Sequence, residues 1–263
     1  MRIARVFYRD NISYGVVSDD ATFVNGVATG SIALVEGVPF GGSVSSTGIA
    51  VPLSEVRLLA PVMPSKVVAI GKNYVDHAAE MNGEVPEEPL MFLKPSSSII
   101  GPGDAIRLPA VARIVHHEAE LAIVMARVCR DIAPEDALTA VLGYTCANDV
   151  SSRDLQKRDG QWTRAKGFDT FCPIGPWIDT NVDCANVPIR CEVNGVTKQD
   201  GNTEDLVFDI PTIIAAVSAV MTLIPGDVIL TGTPAGVGPI VDGDTVTVIC
   251  EGIGELRNPV IAR

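Results

Sequence analysis

The chain has 263 residues, 47% of them hydrophobic, enough for one large core or for a large domain beside a small one. Thirty-two acidic against twenty basic residues give a net charge of −12, which argues against phosphate backbones and anionic lipid surfaces as partners. The 24 Gly and 18 Pro suit many turns between short strands and are too few for a disordered or collagen-like chain.

The first residues, Met1-Arg2-Ile3-Ala4-Arg5, are broken by charge before an export signal can form. Strand-like runs at 6–8, 14–17 and 21–24 are separated by polar turns, and Gly41-Gly42-Ser43 and Ser45-Ser46-Thr47-Gly48 read as loop. Pro52, Pro61 and Pro64 mark a boundary, giving a small β domain over 1–60 and a larger domain over 61–263. In the larger one the pattern predicts strands at 67–70, 90–93, 118–125, 141–146, 189–193, 227–231 and 245–250. Helices are predicted at 74–81, 134–142 and 211–221, the last with Pro in its first turn. Strands dominate and do not alternate regularly with helices, so the fold class is α+β with a barrel-like or sandwich core rather than a doubly wound parallel sheet. The longest apolar run, 213–224, is closed by Pro211 and Pro225 and falls short of the roughly 20 residues a bilayer requires. Six cysteines without a C-x-x-C spacing give no thiolate zinc site and read as reduced, mostly buried thiols of a cytoplasmic protein. Nucleotide loops of the G-x-G-x-x-G and Walker type and the G-x-S-x-G elbow are absent from the sequence.

Chemistry concentrates in four places. On a strand, alternation puts Glu118 and Glu120 on one face, about 6–7 Å apart and otherwise among apolar residues. Such a pair is costly unless a cation compensates it; an edge strand with both acids in water is the bland alternative. Asp149 follows the next strand and could be only a helix N-cap, but as a third carboxylate it completes a hard oxygen set suited to Mg²⁺, Mn²⁺ or Ca²⁺. His77 and Glu80 are three apart on one helical face, the spacing of a carboxylate-oriented base, although spacing alone favours a solvated surface pair. The polar, Gly- and Pro-punctuated stretch after Glu80 resembles a lid. Arg153 and Gln156 read individually as surface residues, whereas Lys166 sits among apolar and small neighbours and could reach inward to an anion. Thr233, within the Gly-rich 230–238 stretch, could add a hydroxyl to backbone N–H groups facing a carboxylate.

Together, Gly71-x-Asn73-Tyr74-x-x-His77, Phe92-Leu93-Lys94-Pro95, His117-Glu118-x-Glu120-Leu121, Asp149-x-x-x-Arg153-Asp154-x-Gln156, Lys166-x-Phe168 and Thr231-Gly232-Thr233-Pro234 resemble the fumarylacetoacetate hydrolase superfamily in order, from about residue 66 to 250. The first sixty residues resemble the small domain of many bacterial members. The resemblance implies a mixed β-sandwich or β-roll catalytic domain in a homodimer, and a Mg²⁺ or Mn²⁺ held by Glu118, Glu120 and Asp149. It further implies that His77 and Glu80 lie on a lid, that Lys166 is the active-site lysine, and that Thr233 meets a substrate carboxylate, with Arg153 and Gln156 also at the substrate.

A 2-oxo acid can chelate one cation through its carboxylate and keto oxygens, and the cation then stabilises the enolate formed when the bond to C3 breaks. Acylpyruvate hydrolysis also needs an activated water, which His77 with Glu80 would supply; oxaloacetate decarboxylation does not. Metal-dependent C–C cleavage in small 2-oxo or 1,3-dioxo acids is therefore the leading reading. The alternatives are isomerisation of a 2-hydroxyhepta-2,4-diene-1,7-dioate or hydroxymuconate-type substrate, a non-catalytic Ca²⁺-binding β module, and a hydrolase using Cys146 or Cys172 with His77.

Overall fold

A computed structural model describes residues 1–24, 26–40, 42–80 and 84–262. Its largest sheet runs Ser45–Pro52, Ser31–Glu36, Asn11–Val17, Arg2–Tyr8, Cys172–Asp179, Val141–Asn148, Ala119–Met125, Val228–Leu230, Val67–Gly71 and Leu90–Lys94. The strands before residue 60 join those after it directly, because Arg2 and Ile3 pair antiparallel with Asp179 and Ile178. A second sheet, in the order Ile106–Leu108, Gly254–Ala262, Thr245–Cys250, Pro188–Val193 and Val196–Asn202, packs against the first. The class is strand-dominated α+β, as the irregular alternation of elements requires.

Ala119–Met125 is buried along its whole length, so its sequence is apolar at nearly every position rather than alternating. One face packs Leu121, Ile123 and Met125 with Ile189, Cys191, Val246 and Val248 of the second sheet. The other packs Ala122 and Val124 with Val67, Ala69, Val228 and Leu230. Ile210–Val220 is the longest helix; Asp209 caps it by accepting from Thr212 N–H at 2.9 Å, and Pro211 costs its first turn no hydrogen bond. Among the described residues, no helix is long and apolar enough to cross a membrane. All six cysteines are free thiols.

Several local expectations need correction. The 134–142 helix is a single turn, Pro134–Ala137, followed by a 3-10 turn, because the chain from Val141 is drawn into the central sheet. The 45–48 loop is part of the strand Ser45–Pro52, which pairs with Ser31–Glu36 through a register shift and donates the Thr47 hydroxyl to Leu34 O. The 118–125 strand starts at Ala119, Glu118 lying in a break after Val115–His117. The 74–81 helix is seen as Val75–Glu80; Met81 and the first part of the lid stretch lie outside the described residues.

Topology gathers the site. Ala119–Met125 runs antiparallel to both Val141–Asn148 and Val228–Leu230, and the latter runs parallel to Val67–Gly71. The start of the first strand and the ends of the other three therefore meet at one edge, bringing together Glu118, Glu120, Asp149, the Gly71–Asn73 turn and the loop from Thr231.

Candidate active site

Glu118, Glu120 and Asp149 each offer a carboxylate oxygen within 4.8 Å of the others, and all three are buried. The break at Glu118 is stitched to the neighbouring strand end: its N–H donates to Asn148 Oδ1 at 3.0 Å, and its carbonyl accepts from Asp149 N–H at 2.9 Å. Asp149 is thus held by the sheet and is not a helix cap; Ser152 holds the position before the helix Arg153–Asp159.

Cations surround two of the three acids. Lys166 Nζ lies 2.6 Å from Glu118 Oε2 and 2.5 Å from Asp149 Oδ2, and Arg153 Nη2 lies 2.5 Å from Glu118 Oε1. Burial pushes the Glu118 carboxyl up, but Arg153, Lys166 and His77 outweigh it and hold it well below the usual carboxylate range. Burial likewise works against the Lys166 ammonium, yet Asp149 and Glu118 hold its pKa above the ordinary lysine value. Glu120 differs: it accepts from Gly232 N–H at 2.7 Å, and burial with Asp149 and Glu118 beside it pushes its carboxyl well above the usual range. Three hard oxygens at this spacing, one of them poorly compensated, fit a divalent cation of the Mg²⁺, Mn²⁺ or Ca²⁺ type.

His77 is buried, and its Nδ1 lies 3.4 Å from Glu80 Oε2. Burial lowers its pKa below 6.5, with Glu118 opposing, so the ring is neutral at neutral pH. Glu80 also accepts from Gly236 N–H at 3.2 Å, tying the short helix to the glycine loop. Eight of the nine residues singled out from sequence line one cavity, Glu80 being the exception. Arg153 donates through Nη1 to Gln156 Oε1 at 2.9 Å, and its buried Nε–H has no partner among the described residues. Thr233 is in place, but its hydroxyl donates to Ala119 O at 2.8 Å and accepts from Gln199 Nε2 at 2.7 Å.

Three residues escaped the sequence reading of the site. Lys94, fully buried, donates to Asp149 Oδ1 and to Lys166 O, both at 2.6 Å; the only sequence signal was a lysine in the quoted Phe92-Leu93-Lys94-Pro95. Gln199, on the Val196–Asn202 hairpin strand, also accepts from Ala119 N–H and pairs with His117 Nδ1, contacts no local pattern could announce. Trp162 lies over Gly71 and packs its ring edge-on to Phe92, with Lys166 Nζ 5.8 Å from the Trp162 ring centre. Burial pushes the Cys172 thiol up to about 12 and leaves it a poor nucleophile, and neither Cys146 nor Cys172 is among the residues lining the cavity with His77.

Comparison with known proteins agrees with this geometry. The family described as "Fumarylacetoacetate (FAA) hydrolase C-terminal" matches residues 66–261, and "Rv2993c-like, N-terminal" matches 1–61. The structure of a 2-hydroxyhepta-2,4-diene-1,7-dioate isomerase from Mycobacterium marinum is 50% identical, with a TM-score of 0.92 over 100% of this chain and 99% of that one. The mitochondrial oxaloacetate tautomerase FAHD2A of Homo sapiens is 48% identical over 80% of this chain and 71% of its own length. A maleylpyruvate hydrolase from Sphingobium sp. SYK-6, solved with manganese(II) and pyruvate, is 36% identical, with a TM-score of 0.80 over 100% of this chain and 99% of that one. With nearly three quarters of its length covered by the first of these matches and its acidic cluster assembled, this chain belongs to the fumarylacetoacetate hydrolase family of enzymes.

Proposed function

We propose that the protein is a divalent-cation-dependent enzyme that cleaves a C–C bond in small 2-oxo or 1,3-dioxo acids, by hydrolysing acylpyruvates or decarboxylating oxaloacetate. One observation carries this reading: three buried carboxylates within 4.8 Å of one another share a cavity with a lysine, an arginine and a histidine. A Mg²⁺ or Mn²⁺ held by Glu118, Glu120 and Asp149 would supply a Lewis acid to the keto and carboxylate oxygens of a 2-oxo acid.

The chain's own groups account for the remaining chemistry. Lys166 holds a permanent positive charge beside the acids, preorganised where negative charge develops on the substrate. Arg153 offers its unpartnered Nε–H to a substrate oxygen, and Gln156 fixes its guanidinium plane. A neutral His77 that turns Nδ1–H to Glu80 leaves Nε2 free to take a proton from water, which hydrolysis needs and CO₂ loss does not. Thr233 can donate to a substrate carboxylate only if its hydroxyl turns away from Ala119 O. A cytoplasmic homodimer acting on small anions goes with this reading.

A second reading, isomerisation or keto–enol tautomerisation, is favoured by the names of the 50% and 48% identical relatives. It uses the same groups, with His77 moving a proton between substrate atoms rather than from water. The test is incubation with oxaloacetate, acetylpyruvate, fumarylpyruvate and 2-hydroxyhepta-2,4-diene-1,7-dioate under Mg²⁺ and Mn²⁺. Pyruvate or CO₂ release supports cleavage. An absorbance change without release supports the second reading. No consumption of any of them, with cation-dependent stability intact, would instead support a structural cation site.

A further inference from the structure

We infer that Lys72 is the residue that selects dicarboxylic over monocarboxylic 2-oxo acids, by pairing with the carboxylate distal to the 2-oxo group. The inference rests on the proposed 2-oxo acid site and deepens it. Lys72 lines the cavity immediately after the strand Val67–Gly71. Its backbone is left-handed, with φ at 56°, a region that non-glycine residues adopt only when their surroundings impose it.

Those surroundings are explicit. The next residue, Asn73, is clamped by four hydrogen bonds. Its Nδ2 donates to Thr231 O at 2.8 Å and Phe208 O at 3.0 Å; its Oδ1 accepts from Phe208 N–H and its carbonyl from Val207 N–H. The preceding residue, Gly71, lies so close under Trp162 that a Cβ there would come within 2.5 Å of the ring. The Lys72 backbone is thus held from both sides at the cavity wall.

Charge pairing then singles it out. Lys166 is engaged by Glu118 and Asp149, Arg153 by Glu118, and Lys94 by Asp149. Among the described residues, no hydrogen bond or ion pair engages the Lys72 ammonium. A ligand with one carboxylate at its 2-oxo end leaves this cation unmet, and a second carboxylate meets it. A charge-assisted contact of this kind contributes about 1.5–3 kcal/mol, equivalent to roughly 10–150-fold in affinity; selectivity is the difference between ligands that can and cannot make it.

The experiment compares binding of 2-oxoglutarate and 2-oxopentanoate, which have equal chain length, to the Mn²⁺-loaded full chain by calorimetry. Lys72→Asn removes the charge with a residue that tolerates the left-handed backbone. We expect it to weaken 2-oxoglutarate by about tenfold or more while changing 2-oxopentanoate less than about threefold, with Lys72→Arg restoring most of the preference. Equal losses for both ligands, an unchanged preference, or no 2-oxoglutarate binding by the wild type would overturn the inference. Binding requires no turnover, so a protein that discriminates the ligands yet converts no substrate would refute the proposed chemistry and leave Lys72 in this role.

Discussion

Two buried carboxylates stand at opposite ends of the strand Val228–Leu230, and the fold treats them differently. Asp227, before the strand, is fully enclosed by donors: Ser65 N–H at 3.1 Å, Ser65 Oγ at 2.6 Å, Lys66 N–H at 3.3 Å, Ile224 N–H at 2.9 Å and the Lys66 ammonium. Glu120, beside the strand's other end, accepts a single hydrogen bond among the described residues, from Gly232, and faces two further carboxylates. Folding alone favours the first arrangement, because buried polar groups are ordinarily satisfied. The second is a local cost, which the cation of the proposed function would offset. Asp227 is built for stability; in the proposed function Glu120 serves a cation.

Substitutions at the two ends should have opposite consequences. Glu120→Gln should remove detectable turnover, because an anionic oxygen is lost from a set of three, while leaving the cation-free protein as stable as the wild type or more so, since like-charge repulsion falls. Steady-state rates beside a thermal melt check both halves. His77→Ala should cost hydrolysis about 10²–10⁴-fold and decarboxylation far less, measured as pyruvate release from acetylpyruvate and oxaloacetate. Equal losses would mean that His77, through Glu80 and Gly236, closes the site for either reaction. Lys166→Met should lower kcat by about 10²–10³-fold with cation binding preserved; a rise in KM alone would make Lys166 only a binding residue.

At the other end, Asp227→Asn should leave kcat unchanged and destabilise the fold by about 1–3 kcal/mol, because the donors it gathers lose a charged acceptor; denaturant melts measure this. The smallest effect concerns pH. Burial lowers the His77 pKa, so the neutral ring persists to lower pH than an ordinary histidine, and the acid limb of hydrolysis should lie below pH 6.5. A limb above 6.5 would point to another base.

The sequence made much of this site legible because its ligands are local. Glu118 and Glu120 are two apart, and Asp149 follows a recognisable strand. Alternation nevertheless misplaced the start of the Glu118 strand: the chain breaks there so that Asn148 can accept from its N–H, a partner thirty residues away. The buried partners of the site residues were harder still. Lys94 ends an ordinary strand and Gln199 lies on a hairpin whose neighbours are exposed, so only the assembled sheets reveal that one reaches Asp149 and the other Thr233. Strand order was likewise invisible, since the pairing of Arg2 with Asp179 spans most of the chain. Single-position patterns encode which face is buried; they do not encode which distant strand covers it.

Cation binding at the poorly compensated acid end is measured by thermal unfolding under increasing Mn²⁺. A ligand bound only by the folded state stabilises it by about 2.7 kcal/mol at a hundred times its Kd. Wild type and Asp227→Asn should both gain Tm as Mn²⁺ rises, and Glu120→Gln should gain little or none. The same Mn²⁺-dependent gain in Glu120→Gln as in the wild type would contradict the account.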